Sequence, residues 1–301
     1  MAAKPRRLGD RTWALPGSPN TVIVGLGNGS AMIIDPGIGD DRSSLISASL
    51  EKLGLRATVI ALTHGHTDHL AAAPPLVSES VQVLAHKYCV PLVESLETRF
   101  SIVYGGVISK SLASMPPITL RVSRAYWWGE EIASGVKTID LRGHSPGHSG
   151  IVIEDDKVIA AGDAILGEKV LARFGIPFAL NLREWKESLQ VLMELAESGY
   201  KIVPGHGPIV EGGRAKAMIE ANIAAVDKVR NYVLETIRSH HPITIDKLAV
   251  IATRDLSAAE PTPRQVLLNR TALVSVVAWL EEEGLVEPVT TDEGVAWKPR
   301  G

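Results

Sequence analysis

A cluster of three histidines and an aspartate, placed directly after an apolar segment, constrains this chain more than any other feature. Residues 57–62 form a short and nearly continuous apolar run, which is typical of a strand buried on both faces. After Thr63 the chain continues as His64-Gly65-His66-Thr67-Asp68-His69. Imidazole nitrogens and carboxylate oxygens are ligands that suit zinc, iron and manganese. A loop at the end of a buried strand can fold these side chains around one point, so the cluster predicts a metal site.

Three later segments each place one more candidate ligand beside glycine. His144 follows Gly143, Asp163 follows Gly162, and His206 lies between two glycines. Glycine lets the backbone of a loop approach a site closely. Each of these signals is weak alone, but they reinforce one another because they follow the first cluster in order. The candidate metal ligands are therefore His64, His66, Asp68, His69, His144, Asp163 and His206.

The pattern of apolar segments changes near residue 214. Before it, strands and helices interleave, which is typical of a layered α/β domain. We predict strands at 20–25, 31–34, 57–62, 81–85, 150–154, 157–161 and 201–203, and helices at 41–53 and 184–198. After it, we predict helices at 215–239, 245–253 and 264–283, and then a hairpin of 284–289 with 294–297. Three helices and a hairpin are typical of a winged helix-turn-helix, so we divide the 301 residues into domains 1–214 and 215–301.

The charge pattern does not favour duplex DNA as a partner. The formal net charge of the chain is −3, and acidic residues slightly outnumber basic ones over 215–301. The helix expected to act in recognition carries only Arg264 and Arg270 as basic residues and ends in three glutamates. Proteins that read a duplex usually present a basic face to the phosphates. We therefore expect the C-terminal segment to wall the active site or to make a subunit contact, as in a homodimer.

The sequence predicts a soluble cytoplasmic protein. Cys89 is the only cysteine, so no intrachain disulfide can form, and we expect it to be a small buried apolar residue. The basic N-terminus is not followed by the apolar core of a secretory signal. The longest apolar stretches fall short of the ~20 residues that span a bilayer. No membrane association is therefore expected.

The histidine and aspartate motifs resemble those of the metallo-β-lactamase superfamily. Residues 161–169, 203–216 and the tail further resemble the β-lactamase-like protein 2 subfamily, which joins a metallo-β-lactamase domain to a C-terminal winged helix. The resemblance implies an αβ/βα sandwich with the site at one edge of two packed sheets. It also implies a binuclear site, with one ion on His64, His66 and His144, the second on Asp68, His69 and His206, and Asp163 bridging the two.

A metal-dependent hydrolase is the function that this resemblance implies. Two cations about 3.5–4 Å apart can hold a bridging water, lower its pKa and supply hydroxide to a carbonyl carbon or a phosphorus. We expect two divalent metal ions. Zinc is the first candidate, and iron and manganese are the other candidates. Asp68 is the candidate catalytic residue, because it would orient the nucleophile and accept its proton. The expected substrate is a small ester, thioester or lactone.

Three alternatives remain open at this stage. Characterised members of the subfamily include an endoribonuclease that prefers single-stranded RNA, although the absence of a basic patch favours a small substrate. An iron-dependent persulfide dioxygenase shares the first motif and would be identified by a single iron ion. A non-catalytic winged-helix adaptor is the third alternative, and the complete ligand set argues against it.

The sequence also suggests roles for several residues outside the ligand set, although the signals for them are weaker. We expect His148 to fix a loop by hydrogen bonding and Asp35 to have a structural role in a turn. Other histidines are interpreted as ordinary surface or loop residues, namely His86, His240 and His241. Four residues lie where a substrate loop could sit, with core packing favoured for the two tryptophans: Arg99, Tyr104, Trp127 and Trp128.

Overall fold

Two β-sheets form the centre of the molecule. The structure is a computed structural model that describes residues 5–106, 109, 112, 115–258 and 260–301. The first sheet has its strands hydrogen-bonded in chain order: β1 (Arg6–Arg7), β2 (Thr12–Leu15), β3 (Thr21–Gly27), β4 (Ser30–Ile34), β5 (Arg56–Ala61), β6 (Gln82–His86) and β7 (Arg124–Tyr126). The second contains β8 (Glu131–Ala133), β9 (Val136–Asp140), β10 (Ser149–Ile153), β11 (Val158–Gly162) and β12 (Lys201–Pro204). In the second sheet β12 pairs with β11 in parallel and the other pairs are antiparallel.

Helices cover the outer faces of both sheets. Near the first sheet lie α1 (Arg42–Lys52), α2 (Thr67–Leu70), a short 3-10 helix (Pro74–Leu76), α3 (Val90–Glu94) and α4 (Leu96–Tyr104). After β11 come α5 (Glu168–Phe174), α6 (Leu182–Glu197) and α7 (Gly212–His240). The chain ends with β13 (Ile243–Thr244), α8 (Ile245–Leu256), α9 (Pro263–Glu282), β14 (Val286–Thr291) and β15 (Gly294–Pro299), whose strands form a small third sheet. No helix in the described ranges is both long enough and apolar enough to cross a bilayer.

Alternate residues along the central strands explain the layering. Val22 and Val24 of β3 share a core with Ile151 of β10, so the two sheets pack face to face. Ile23 points the other way and packs with Ile46 of α1. Side chains alternate along a strand, and both faces here are covered, which is why these strands have continuous apolar sequences. The predicted αβ/βα sandwich is confirmed in its helix, sheet, sheet, helix order.

The C-terminal segment packs on the outer helices of the second sheet. Leu273 and Val277 of α9 are fully or almost fully buried and belong to the same apolar cluster as Trp185 and Leu189 of α6. The predicted sequence of helices followed by a hairpin is present, although α7 already begins at Gly212. The winged-helix assignment and the boundary at 214 remain predictions.

Short elements were not anticipated by the sequence patterns. β1 and β2 lie before the first predicted strand, and β7 to β9 precede the hairpin of β10 and β11. Strands of two to five residues contain too few positions to show a regular alternation of apolar and polar side chains. The longer predicted elements agree with the structure to within a few residues at each end, and Gly54 follows α1 with φ of 66° as expected for a helix C-terminus.

Candidate metal centre

The seven candidate ligands meet at one edge of the two sheets. His64 and His66 lie in the loop after β5, and α2 carries Asp68 and His69. His144 lies between β9 and β10, while Asp163 and His206 follow β11 and β12. Because β11 and β12 are parallel neighbours, their carboxyl ends bring Asp163 and His206 to the same edge. The strands of the two sheets therefore bring together residues that are far apart in sequence.

The imidazoles of His64, His66 and His144 form a first group. Nδ1 of His66 lies 2.9 Å from Nε2 of His144 and 3.1 Å from Nε2 of His64. One nitrogen from each ring lies within 4.8 Å of the others, so these atoms could hold one metal ion. His64 is fully buried and His144 is nearly so.

Asp68, His69 and His206 form a second group. Oδ2 of Asp68 lies 3.1 Å from Nε2 of His206, and the three ligand atoms again lie within 4.8 Å of one another. The side chains of Asp68 and His206 are 21% and 17% exposed, whereas His69 is fully buried. This group is therefore the more accessible side of the centre.

Asp163 lies between the two groups. Its Oδ2 is 3.5 Å from Nε2 of His144 and 3.7 Å from Nε2 of His206. Its Oδ1 is 3.3 Å from Nε2 of His69, yet neither atom has a hydrogen-bond partner among the described residues. An unpaired buried polar atom costs about 1–3 kcal/mol. Two such atoms facing each other fit a metal ion, which would satisfy both.

Contacts behind the rings fix the histidine orientations. Nδ1 of His144 donates to the carbonyl of Phe178 at 2.9 Å, which leaves Nε2 of that ring free of a proton and facing the centre. Nδ1 of His206 lies 2.7 Å from Oγ of Ser18, and Nδ1 of His64 lies 3.1 Å from Oγ1 of Thr63. Partners of this kind select the tautomer that a metal requires.

The local electrostatics favour the metal-binding protonation states of His66, Asp68 and Asp163. Burial opposes protonation of His69 and of His206, but the charge of Asp163 outweighs it and raises the pKa of both. Burial, followed by the nearby His144, lowers the pKa of His66 to about 3. Burial opposes ionisation of Asp68, but the hydrogen bond from His206 and the charge of His69 outweigh it and lower the pKa of Asp68 to about 2. Burial likewise opposes ionisation of Asp163, and the surrounding histidines hold its pKa well below the ordinary value. The carboxylates are therefore ionised and His66 is neutral near pH 7.

Asp35 has a larger role than the structural turn that the sequence suggested. Its Oδ2 accepts a hydrogen bond from Nδ1 of His69 at 2.8 Å and one from Oγ1 of Thr63 at 2.6 Å. Its Oδ1 accepts from the backbone N of Thr63 at 2.8 Å. Asp35 thus orients His69 and holds the start of the ligand loop. Its position at the end of β4, the parallel neighbour of β5, was the available signal.

Two side chains hold the backbone of Asp163. Nε2 of His148 accepts from the N–H of Asp163 at 3.0 Å, while Nδ1 of His148 donates to the carbonyl of Leu141. Nε1 of the fully buried Trp185 donates to the carbonyl of Asp163 at 2.8 Å. His148 therefore has the loop-fixing hydrogen bonds that we expected, and Trp185 is a support that the sequence did not indicate.

The prediction for His86 is wrong. It lies at the end of β6, an interior strand of the first sheet, so its ring is fully buried and stacks on Trp128 at 4.1 Å between centroids. Trp127 is 45% exposed, which contradicts core packing for that residue. His240 and His241 are exposed, as predicted. Cys89 is fully buried, and burial raises the pKa of its thiol to about 12, so it is not poised as a nucleophile.

A cavity of about 540 Å³ opens onto the candidate ligands. Its floor is formed by His66, Asp68, His144, Asp163 and His206, and its walls come from α4, α5 and the start of α9. Of the residues placed in a substrate loop, Arg99 and Tyr104 line this cavity and the two tryptophans do not. The C-terminal segment contributes Arg264, Gln265, Leu268 and Asn269, so it walls the site.

Comparisons with known proteins agree with this geometry. Residues 14–88 match the family model of the metallo-β-lactamase superfamily. An atrochrysone carboxyl ACP thioesterase of Aspergillus fumigatus is 27% identical over 207 residues, which cover 67% of this chain and 54% of that relative. A β-lactamase-like protein 2 homolog of Caenorhabditis elegans is 23% identical, with 89% of this chain and 80% of that protein covered. The chain thus spans little more than half of the length of the thioesterase.

A solved structure extends the likeness to nearly the whole chain. A β-lactamase domain protein from Burkholderia ambifaria superposes with a TM-score of 0.71 at 18% identity, covering 99% of this chain and 95% of that one. At this identity the likeness concerns the fold alone. Residues 14–88 thus match the metallo-β-lactamase superfamily, the chain shares the fold of the Burkholderia protein, and its His and Asp groups could hold metal ions.

Proposed function

We propose that this chain is a binuclear metal-dependent hydrolase of thioesters and related esters or lactones. The proposal depends on one observation: two three-residue groups of ligand atoms with Asp163 between them, whose Oδ1 is buried without a hydrogen-bond partner. One ion would bind His64, His66 and His144, and the other would bind Asp68, His69 and His206. We propose zinc for both, because the set is made of imidazoles and carboxylates.

When bound, two such ions activate water at neutral pH and polarise the oxygen of the attacked carbonyl. The residues of the chain would position the reactants. Asp68 lines the cavity and its carboxylate is ionised, so it can orient the attacking water and accept its proton. Nε2 of His206 lies 3.1 Å from Oδ2 of Asp68, so both ligand atoms face the same point of the centre.

A thioester is the substrate that the remaining features support. The Aspergillus relative is named as a thioesterase acting on an acyl carrier protein. The cavity beyond the metal groups is lined mainly by apolar side chains, including Phe100, Val103, Leu171 and Phe178. An apolar acyl group bound there would place its carbonyl carbon beside Asp68 and Asp163.

The test is hydrolysis by protein reconstituted with zinc. Metal content should approach two ions per chain, and thioesters should be hydrolysed in a panel that also contains esters and lactones. Asp163→Asn should lose most of the activity and at least one ion, because the carboxylate faces both groups. His240→Ala, which changes an exposed histidine outside the site, should keep both. A metal-loaded enzyme that hydrolyses none of the panel would refute the proposal.

The alternatives from the sequence are tested with the same preparations. Cleavage of a labelled single-stranded RNA that is lost in Asp163→Asn would instead support the endoribonuclease. A single bound iron with oxygen consumption on a persulfide would support the dioxygenase.

A further inference from the structure

The cavity has two chemically different parts beyond its floor. One part is apolar and includes Phe100, Val103, Val170 and Leu268. The other carries three cations, Lys169, Arg173 and Arg264. The carboxylates that line the cavity are Asp68 and Asp163, both at the metal end, as far as the described residues show. The outer wall is therefore basic.

The three cations have no acidic partner in the described part of the chain. None of them lies within 4.0 Å of a carboxylate oxygen, whereas many other surface cations of this protein are paired. Lys169 and Arg173 are exposed although they line the cavity, which places them at its mouth. They lie four residues apart on α5 and so share one face of that helix.

Two of the cations lie on α5 and the third, Arg264, lies on α9. Contacts of α5 with the loop after α8 and with α9 hold these cations side by side. The carbonyl of Phe174 accepts from Oγ of Ser257 at 2.7 Å and from Nε2 of Gln265 at 3.5 Å. Nε of Arg264 lies 3.4 Å from the hydroxyl of Tyr104 on α4, which orients the guanidinium along the wall. These hydrogen bonds fix the positions of α5 and of the Arg264 side chain, so the three cations need no ion pair to stay in place.

We propose that the substrate carries an anionic group, a phosphate or a carboxylate, that is bound by Lys169, Arg173 and Arg264. The inference rests on the proposed thioester hydrolysis and specifies its substrate: an apolar acyl group beside the metal centre and an anion at the mouth. Guanidinium groups bind both anions through paired hydrogen bonds, and a lysine adds a point charge.

Three thioesters with the same acyl group provide the test. Hexanoyl-N-acetylcysteamine is uncharged, S-hexanoyl-thioglycolate carries a carboxylate, and hexanoyl-CoA carries phosphates. Each is hydrolysed by the zinc-loaded full chain, by Lys169→Gln, Arg173→Gln and Arg264→Gln singly, and by the triple variant. Lys52→Gln and Arg56→Gln remove exposed cations outside the cavity and serve as matched controls.

We expect the wild-type enzyme to prefer one of the anionic thioesters, and the preferred one identifies the anion. Each single variant should raise its KM about three- to tenfold, since one charged contact is worth roughly 1 kcal/mol. The kcat for that substrate and the kcat/KM for the uncharged thioester should stay within about twofold. The control variants should not change the KM, and the single variants remain informative if the triple variant fails to fold.

Two results would overturn the inference. Equal hydrolysis of charged and uncharged thioesters, unchanged in the variants, would show that the cations bind no part of the substrate while leaving the thioesterase proposal intact. Cleavage of single-stranded RNA in place of all three thioesters would assign the cations to a polynucleotide and would refute the proposed function itself.

Discussion

At the scale of single residues, the metal centre depends on groups that do not face the cavity. Asp35 and Trp185 touch ligands only from behind, through His69 and the backbone of Asp163 respectively. Gly205 leaves the space that the carboxylate of Asp163 occupies. Positions of this kind tune metal affinity because they fix the direction of each ligand atom.

Asp35→Asn tests the support of His69. The change keeps the size of the side chain, removes its charge and leaves one acceptor oxygen where the carboxylate uses two, one for the N–H of Thr63 and one for His69. We expect the metal affinity of the His69 group to fall about 10- to 100-fold, as is usual for such supporting carboxylates. Metal titration with a competing chelator measures it. Asp292→Asn, on the exposed turn between β14 and β15, is the control, and equal affinities in both variants would contradict the role of Asp35.

Gly205→Ala tests the space beside Asp163. A Cβ at this position would overlap Oδ1 of Asp163 and come close to the ring of His69. We expect loss of metal binding at near-normal secondary structure, measured by metal content and circular dichroism. Gly213→Ala, at a site where a Cβ meets no atom within 4 Å, should bind metal like the wild type. A Gly205→Ala protein with both ions would disprove the steric constraint.

At the scale of secondary-structure elements, α9 links the C-terminal segment to the cavity. One face of the helix packs Leu273 and Val277 against α6 and α7, and its first turn supplies Arg264 to the cavity wall. The same helix thus contributes to stability at one end and to the active-site wall at the other.

Leu273→Ala tests the packing of α9. Leu273 is fully buried, and removing its side chain leaves a hole in the shared core. We expect the free energy of unfolding to fall by about 2–5 kcal/mol. The neighbouring Val274 is 45% exposed, so Val274→Ala should change it by less than about 0.5 kcal/mol. Urea unfolding of both variants measures the difference, and similar values would mean that α9 does not pack as described.

At the scale of the whole molecule, the metal centre lies where two sheets meet. Residues from the connections after β5, β9, β11 and β12 contribute to it, so metal ions held there would connect both halves of the sandwich. A ligand that binds only the folded state stabilises it by mass action.

Removal of metal should therefore lower the melting temperature. At a free metal concentration a hundred times the Kd, binding contributes about 2.7 kcal/mol, which corresponds to roughly 5–10 °C for a chain of this size. Differential scanning calorimetry with and without a chelator measures the shift, and added zinc should reverse it. Asp163→Asn should show a much smaller shift. An equal shift in that variant would place the stabilising ions elsewhere.

The sequence by itself determined the layered α/β pattern, the long elements and the candidate ligands. Apolar periodicity over a strand or helix is a local property, and the cluster that ends in His69 is local as well. It also indicated that the C-terminal segment could wall the site. His86 shows where prediction from the sequence fails. Its burial depends on the position of β6 inside a sheet and not on its neighbours in the chain.

Only the tertiary structure decided what surrounds the ligands. Asp35 and Trp185 reach the centre from distant segments, and Lys169, Arg173 and Arg264 share a cavity because α5 and α9 pack together. The physical reason is the same in each case. A hydrogen bond or a cavity wall between distant residues is fixed by how sheets and helices pack, and no pattern along the chain records that distance.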